Sequence, residues 1–467
     1  MYIPFIGRLS LTEWPVLVLS FLATYLEFVI SIVTKLLPDV VVEAVTSTLK
    51  GLHGLLFKRR GETSRATLNG MKIRDQVEFI ELRDNIRNTQ SIVEIGKLFG
   101  YDIDNHIVET EDGYLLNLHR IKPKQLDGSA PVVYLHHGLL MCSDIWCVNI
   151  KKDRNIPFLL HELGFDVWMG NNRGNKYSSK HIHLKPNDVE FWDFAIDEFA
   201  IYDIPDSIRY ALQYTGAKDL TYIGFSQGSA QAFAALSMNP TLNSKINLFI
   251  ALSPAMTPNG LHHRVVDTLI KSSPSIMYLI FGKKTLLPTA SFWQQICYPP
   301  LFSKVIDYCV AFLFNWQNEN ITFDQKIASF AHLYSPTSVK SVVHWFQIIR
   351  NSSFQMFDEG VSLTNALSKA FRTPSFPTRT NIKVPIKLIY GTIDSLVDIN
   401  KMTDLLPEGL TECVAVPNHE HLDLIWGDHI EELVFPHILR FLNVPESNDV
   451  ELIEENEKVT VNGHSSP

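Results

Sequence analysis

Six short apolar runs punctuate the chain: residues 132–135 (VVYL), 165–169 (FDVWM), 220–223 (LTYI), 248–252 (LFIAL), 386–390 (IKLIY) and 413–416 (CVAV). Each is too short for a stable helix, and most positions in each are apolar, so both faces need cover. Helix-forming stretches such as 204–214 and 229–238 fill most of the intervals. Strands covered on both faces and alternating with helices belong to a mostly parallel central sheet with helices on either side, an α/β architecture. Upstream, residues 101–109 and 114–121 flank Glu111-Asp112-Gly113. Asp-Gly between apolar alternations predicts a hairpin, hence an antiparallel start to the sheet. After Leu252 the alternation stops. Residues 257–380 are rich in aromatics and prolines, with helical patterns at 275–281 and 339–349. That is too long for a bare connection and predicts an inserted helical cap or lid.

The N-terminal region obeys a different rule. Residues 15–34 (PVLVLSFLATYLEFVISIVT) contain one charge, Glu27, in a length of 20. As a helix they would reach about 30 Å, the thickness of bilayer hydrocarbon. No basic n-region precedes them and no small-residue cleavage site follows, so a retained membrane anchor is expected rather than a signal peptide. A second, more amphipathic stretch at 39–57 leads to Lys58-Arg59-Arg60, basic residues that favour a cytosolic catalytic domain. A single-pass anchor and a hairpin returning from one leaflet both fit, and the hairpin also suits a lipid-droplet monolayer. A long core helix is the plain alternative. The expected organisation is an anchor over 1–60, a linker with a helix over 61–91, a folded domain over 92–445 with the cap at about 257–380, and a disordered acidic tail over 446–467.

Composition narrows the function. With 46% hydrophobic, 11% aromatic and 19% charged residues, the 467-residue chain folds around a large core, and its apolar bias suits contact with lipid. A formal charge of −9 argues against general nucleic-acid binding. The five cysteines, Cys142, Cys147, Cys297, Cys309 and Cys413, form no C-x-x-C pair and read as free thiols. Two sequons, at Asn320 and Asn351, would matter only in a secretory lumen.

The chemistry centres on Gly224-Phe225-Ser226-Gln227-Gly228, between the run 220–223 and the helical stretch from 229. A serine on a tight strand-to-helix turn is exposed as a nucleophile, and the flanking glycines leave room for strand and helix to pack around that corner. A base and an acid must follow, in the order Ser, Asp, His for this sheet architecture. The run 386–390 leads through Gly391 to Asp394, the expected acid, with Asp398 as the substitute candidate. After the run 413–416 come His419 and His421, of which His421, at the entry to the final helical stretch, is preferred as the base. Two backbone N–H groups must hold the oxyanion: Gln227, after the serine, and Leu139, where Gly138 lets the loop from residues 132–135 turn towards it. His136 and His137 have no carboxylate or cysteine at ligand spacing, and no metal is assigned to them.

Several motifs in sequence order carry a family likeness. His137-Gly138-Leu139-Leu140, Gly170-Asn171-Asn172-Arg173-Gly174, Gly224 to Gly228, His421-Leu422-Asp423-Leu424-Ile425-Trp426 and Thr110-Glu111-Asp112-Gly113-Tyr114 together resemble the acid-lipase family of gastric and lysosomal lipases and fungal steryl ester hydrolases. The likeness spans residues 92 to 440, and the N-terminal decapeptide with the apolar segment behind it is similar to the membrane-anchored fungal branch. The resemblance implies an α/β-hydrolase fold with a helical lid, no cofactor, hydrolysis of neutral-lipid esters, and His421 rather than His419 as the triad histidine. Steryl esters are the first expectation and triacylglycerols the alternative. Acyl transfer to an alcohol and an inactive, membrane-docked lipid-binding protein are the rivals. Cap aromatics Phe292, Trp293, Tyr298, Phe302, Phe312, Phe314 and Trp316 could shelter an acyl chain, or could simply pack.

Overall fold

The computed structural model describes residues 72–124, 129–263, 277–278, 281–359 and 373–444, with four isolated positions nearer the N-terminus. The expected anchor, the tail and most of the stretch 275–281 therefore lie outside the described residues. Among the described residues no helix is long and apolar enough to cross a membrane.

A nine-stranded sheet organises the molecule. Strands β1 (Ile103–Glu109) and β2 (Tyr114–Ile121) form the antiparallel hairpin that Asp112-Gly113 predicts. β3 (Val132–His136), β4 (Asp166–Met169), β6 (Leu220–Phe225), β7 (Ile246–Leu252), β8 (Ile386–Gly391) and β9 (Thr411–Val416) are the six apolar runs, each but β4 extended at one end by a residue or two. A two-residue strand, β5 (Lys180–His181), pairs with β2 and has no sequence signal of its own. The order is β1-β2-β4-β3-β6-β7-β8-β9, parallel from β4 to β9. From β3 the chain goes first to β4 on one side and later to β6 on the other. The strand order thus reverses between β3 and β6, and in open α/β sheets ligands bind at the carboxyl ends of the strands at such a point.

Burial follows the pleat. Val132, Tyr134, Tyr222, Phe249, Ala251 and Leu388 join one hydrophobic core, while Val133, Leu135, Ile223, Ile250, Leu252 and Ile389 join the other. The Val, Leu, Ile and Phe side chains among them each contribute about 1.5–3 kcal/mol when fully buried. Strand β9 differs from the expectation of two covered faces: only Val416 is buried. It is the sheet edge, and Glu412 there pairs with Arg440 at 2.9 Å, the kind of charge that blunts an open edge.

Helices cover the sheet. α1 (Ile73–Asn88), inside the expected linker, buries Ile86 and reaches Asp324 from Arg83 at 2.7 Å, so it packs on the body of the protein. α2 (Ile156–Glu162) follows β3. α3 (Ile204–Thr215) buries Ile204, Ile208, Ala211 and Leu212 on one stripe and stops at Gly216, whose φ of 74° is left-handed. α4 (Gln227–Met238) starts at the residue after Ser226. Between β7 and β8 lies a helical insertion that includes α5 (Pro299–Phe314) and α6 (Val339–Asn351). Ser338 caps α6 by accepting from Ser341 N–H.

Candidate active site

The fully buried strand β6 delivers Ser226 to the carboxyl edge of the sheet. There the backbone turns with φ 53° and ψ −120°, a conformation that residues with a Cβ avoid unless their surroundings impose it. The surroundings are specific. Ser226 N–H donates to Leu252 O at 3.0 Å, and its carbonyl accepts from Ser229 N–H at 2.9 Å. A Cβ on Gly228 would lie 2.5 Å from His136 O, and one on Gly224 would lie 2.8 Å from Ser229 N. The two glycines are thus required by close approach, and the serine, half-buried, carries the strain.

The other expected members converge from loops after β8 and β9. His421 Nδ1 donates to Asp394 Oδ2 at 2.6 Å, both side chains being buried. Asp394 Oδ1 also accepts from Leu396 N–H at 3.0 Å, which holds the carboxylate in place, and the imidazole ring packs on Phe225 at 5.2 Å. Ser253 Oγ donates to His421 O at 2.7 Å, fixing the backbone below the ring. A Cβ on Gly391 would come within 2.0 Å of His419 O, so the His419–His421 loop lies directly against the end of β8. No hydrogen bond joins Ser226 Oγ to His421 among the described residues.

The substitute candidates are engaged elsewhere. Asp398 accepts from Lys401 N–H at 3.2 Å and caps the helix Ile399–Asp404. His419 Nδ1 donates to Pro417 O at 2.8 Å, within its own loop.

On the oxyanion side, a Cβ on Gly138 would lie 3.1 Å from Ser226 Cβ, so the loop leaving β3 does pass close to the nucleophile. Neither Leu139 N–H nor Gln227 N–H is hydrogen-bonded among the described residues. The two neighbouring histidines hold that loop. His137 Nδ1 donates to Gly138 O at 2.8 Å, while its Nε2 accepts from Asn172 N–H at 3.1 Å. His136 Nε2 bonds to Asn172 Oδ1 at 2.7 Å. Burial pushes His137 down to about 3 and His136 to about 4, so both rings are neutral at pH 7. The motif around Arg173 is a second brace: its guanidinium bonds Asp112 at 2.9 Å and Asp203 at 2.8 Å, tying the hairpin to the loop after β4.

The insertion supplies contacts that sequence reading did not assign. Trp345 Nε1 donates to the side-chain Oε1 of Gln227 at 2.6 Å, and the rings of Trp316 and His421 stack at 4.9 Å with an interplanar angle of 9°. Glu420 accepts from Gln317 N–H at 2.8 Å and Asn318 N–H at 2.6 Å. Its backbone partners are 103 and 102 residues away, so no local pattern could reveal the pairing. Of the other cap aromatics, Trp293 is 38% exposed and Phe314 stacks on Trp316 at 4.4 Å; the Phe292 side chain lies outside the described residues.

Similarity to known proteins gives the class, a carboxylic ester hydrolase. A family model for the alpha/beta hydrolase fold matches residues 131–428, and one for the partial alpha/beta-hydrolase lipase region matches residues 92–150. The chain belongs to the α/β-hydrolase family, within its acid-lipase group. It is 48% identical to a probable lipase of Schizosaccharomyces pombe over 360 residues, covering 77% of this chain and 81% of that one. It is 35% identical to the lysosomal acid lipase/cholesteryl ester hydrolase of Homo sapiens over 357 residues, covering 72% and 86%. With the gastric triacylglycerol lipase of Bos taurus the identity is 32% over 373 residues, covering 78% and 93%.

Proposed function

We propose that the protein hydrolyses esters of neutral lipids, steryl esters foremost, through an acyl-enzyme on Ser226. The observation that carries this reading is the buried His421–Asp394 hydrogen bond of 2.6 Å beside a serine in a strained strand-to-helix turn. His421, oriented by Asp394, takes the Ser226 proton as the hydroxyl attacks the ester carbonyl. Leu139 and Gln227 N–H groups hold the oxygen that becomes negative. His421 returns the proton to the departing alcohol, the sterol or glyceride, and water repeats the sequence to release the fatty acid.

Two relatives bear on the substrate by their names: one is a cholesteryl ester hydrolase, the other a triacylglycerol lipase. The helical insertion serves as a lid over the apolar ester. The apolar segment 15–34, followed by Lys58-Arg59-Arg60, supports work at the cytosolic face of a membrane of the endoplasmic reticulum or at a lipid-droplet surface. Purified protein given steryl oleate and triolein in matched micelles should release oleate faster from the steryl ester. Equal or faster release from triolein would reassign it as a triacylglycerol lipase. Ser226→Ala should abolish both activities while the protein still folds, and full activity in that variant would end the reading.

A further inference from the structure

We propose that Trp316, delivered by the insertion, is a positioning residue for His421: its indole face holds the imidazole in the working plane and meets the positive charge that the ring acquires. This rests on the catalytic reading of Ser226 and His421 above. The two rings are nearly parallel, 4.9 Å apart at 9°, and Trp316 is 4% exposed. Phe225 contacts the same imidazole at 5.2 Å, so aromatic residues from the sheet and from the insertion both bear on it.

The segment carrying Trp316 is fastened to both loops of the acid–base pair. Ser395 Oγ, one residue after Asp394, donates to Phe314 O at 2.6 Å. Glu420, one residue before His421, takes the N–H groups of Gln317 at 2.8 Å and Asn318 at 2.6 Å, charge-assisted bonds of the stronger kind. Asn320 Nδ2 donates to Asn418 O at 2.8 Å and to Asp423 Oδ2 at 2.9 Å. The indole is therefore anchored on the residues flanking the pair it serves.

Trp316 Nε1 is buried with no hydrogen-bond partner among the described residues, an unfavourable arrangement that leucine or phenylalanine would avoid. What the indole alone offers is the strongest π face towards a cation, and that attraction is largest where water is excluded. An imidazolium forms there whenever His421 holds the Ser226 proton.

The test uses the full-length protein and a water-soluble p-nitrophenyl ester. Trp316→Leu, which fills much of the space without a π face, should lower kcat roughly ten- to thirty-fold and leave KM within about twofold. Trp316→Phe, with a weaker π face, should lower kcat by about two- to fivefold, and if the leucine protein does not fold, parental kcat in the phenylalanine variant overturns the proposal. Parental kcat in the leucine variant, a loss confined to KM, or a phenylalanine variant as slow as the leucine one would each overturn the proposal. Ser226→Ala run alongside separates the two readings. If it is active, the catalytic assignment falls; if it is inert while Trp316→Leu turns over normally, only the role of Trp316 falls.

Discussion

Ser226 and Trp345 meet at one site and are held there by opposite means. Ser226 occupies strained backbone, with φ 53°, because β6, α4 and the end of β3 pack so closely that Gly224 and Gly228 leave no room for a Cβ. Trp345 arrives from the insertion through side-chain contacts, packed in the core and bonded to Gln227 at 2.6 Å. The sheet edge is specified by backbone close approach, which tolerates almost no substitution. The insertion is specified by side chains reaching across the sequence, which can be weakened in steps. Under the proposed function, chemistry is concentrated in the first region, and the second adjusts the posture of the chemical groups.

The largest expected effect tests whether chemistry belongs to the sheet edge. Asp394→Asn keeps the shape but loses the charge that orients His421, and kcat should fall about 10⁴-fold. Asp398→Asn should leave kcat alone, because that side chain caps a helix; if Asp398→Asn were the slower enzyme, the assignment of the acid would be reversed. Next comes close approach itself. Gly391→Ala drives a methyl group to 2.0 Å from His419 O. Because backbone must move to relieve it, several kcal/mol of stability should be lost along with most activity, visible as a lowered Tm. A variant with the parental Tm would show that this contact yields cheaply.

Smaller effects probe the insertion. Trp345→Phe keeps the ring but leaves Gln227 Oε1 buried without its donor, so a loss of about 1–3 kcal/mol of stability is expected, together with a modest fall in kcat. A fall as large as that of Asp394→Asn would erase the distinction between the two regions.

The smallest effect concerns Asp197, which ties the end of the insertion down by accepting from Phe357 N–H at 2.9 Å. Burial raises its carboxyl to about 7, with Lys340, Glu198 and Glu359 as the charged neighbours. The native state therefore holds this proton where the unfolded chain, near 3.8, has released it. The associated stability is complete below about 4 and is lost as pH rises through about 7. Asp197→Asn should flatten the fall in Tm between pH 5 and pH 8; an unchanged slope would remove Asp197 as its source.

Much of this was legible because the signals are local. The six apolar runs mark the parallel strands and Asp112-Gly113 marks the hairpin, since burial on both faces and a tight turn each leave a trace within a few residues. The edge position of β9 and the short strand β5 left no such trace, because edge status depends on which strands lie alongside. For the site, Gly224 to Gly228 fixed the turn, and order along the chain brought forward Asp394 and His421. The roles of Glu420, Trp316 and Gln227's side chain were invisible.

By itself, then, the sequence determined the α/β alternation, the serine turn with its glycines, and two short lists of acids and histidines. Tertiary structure brings one acid and one histidine from those lists together. His421 reaches a carboxylate 27 residues away because β8 and β9 are neighbours and Gly391 lets their loops touch, while Asp398 and His419 are taken up by local backbone. It also brought Trp345 to a partner 118 residues away. A turn is a property of adjacent residues, but a hydrogen bond across the sheet exists only once the crossings between strands have set which loops face one another.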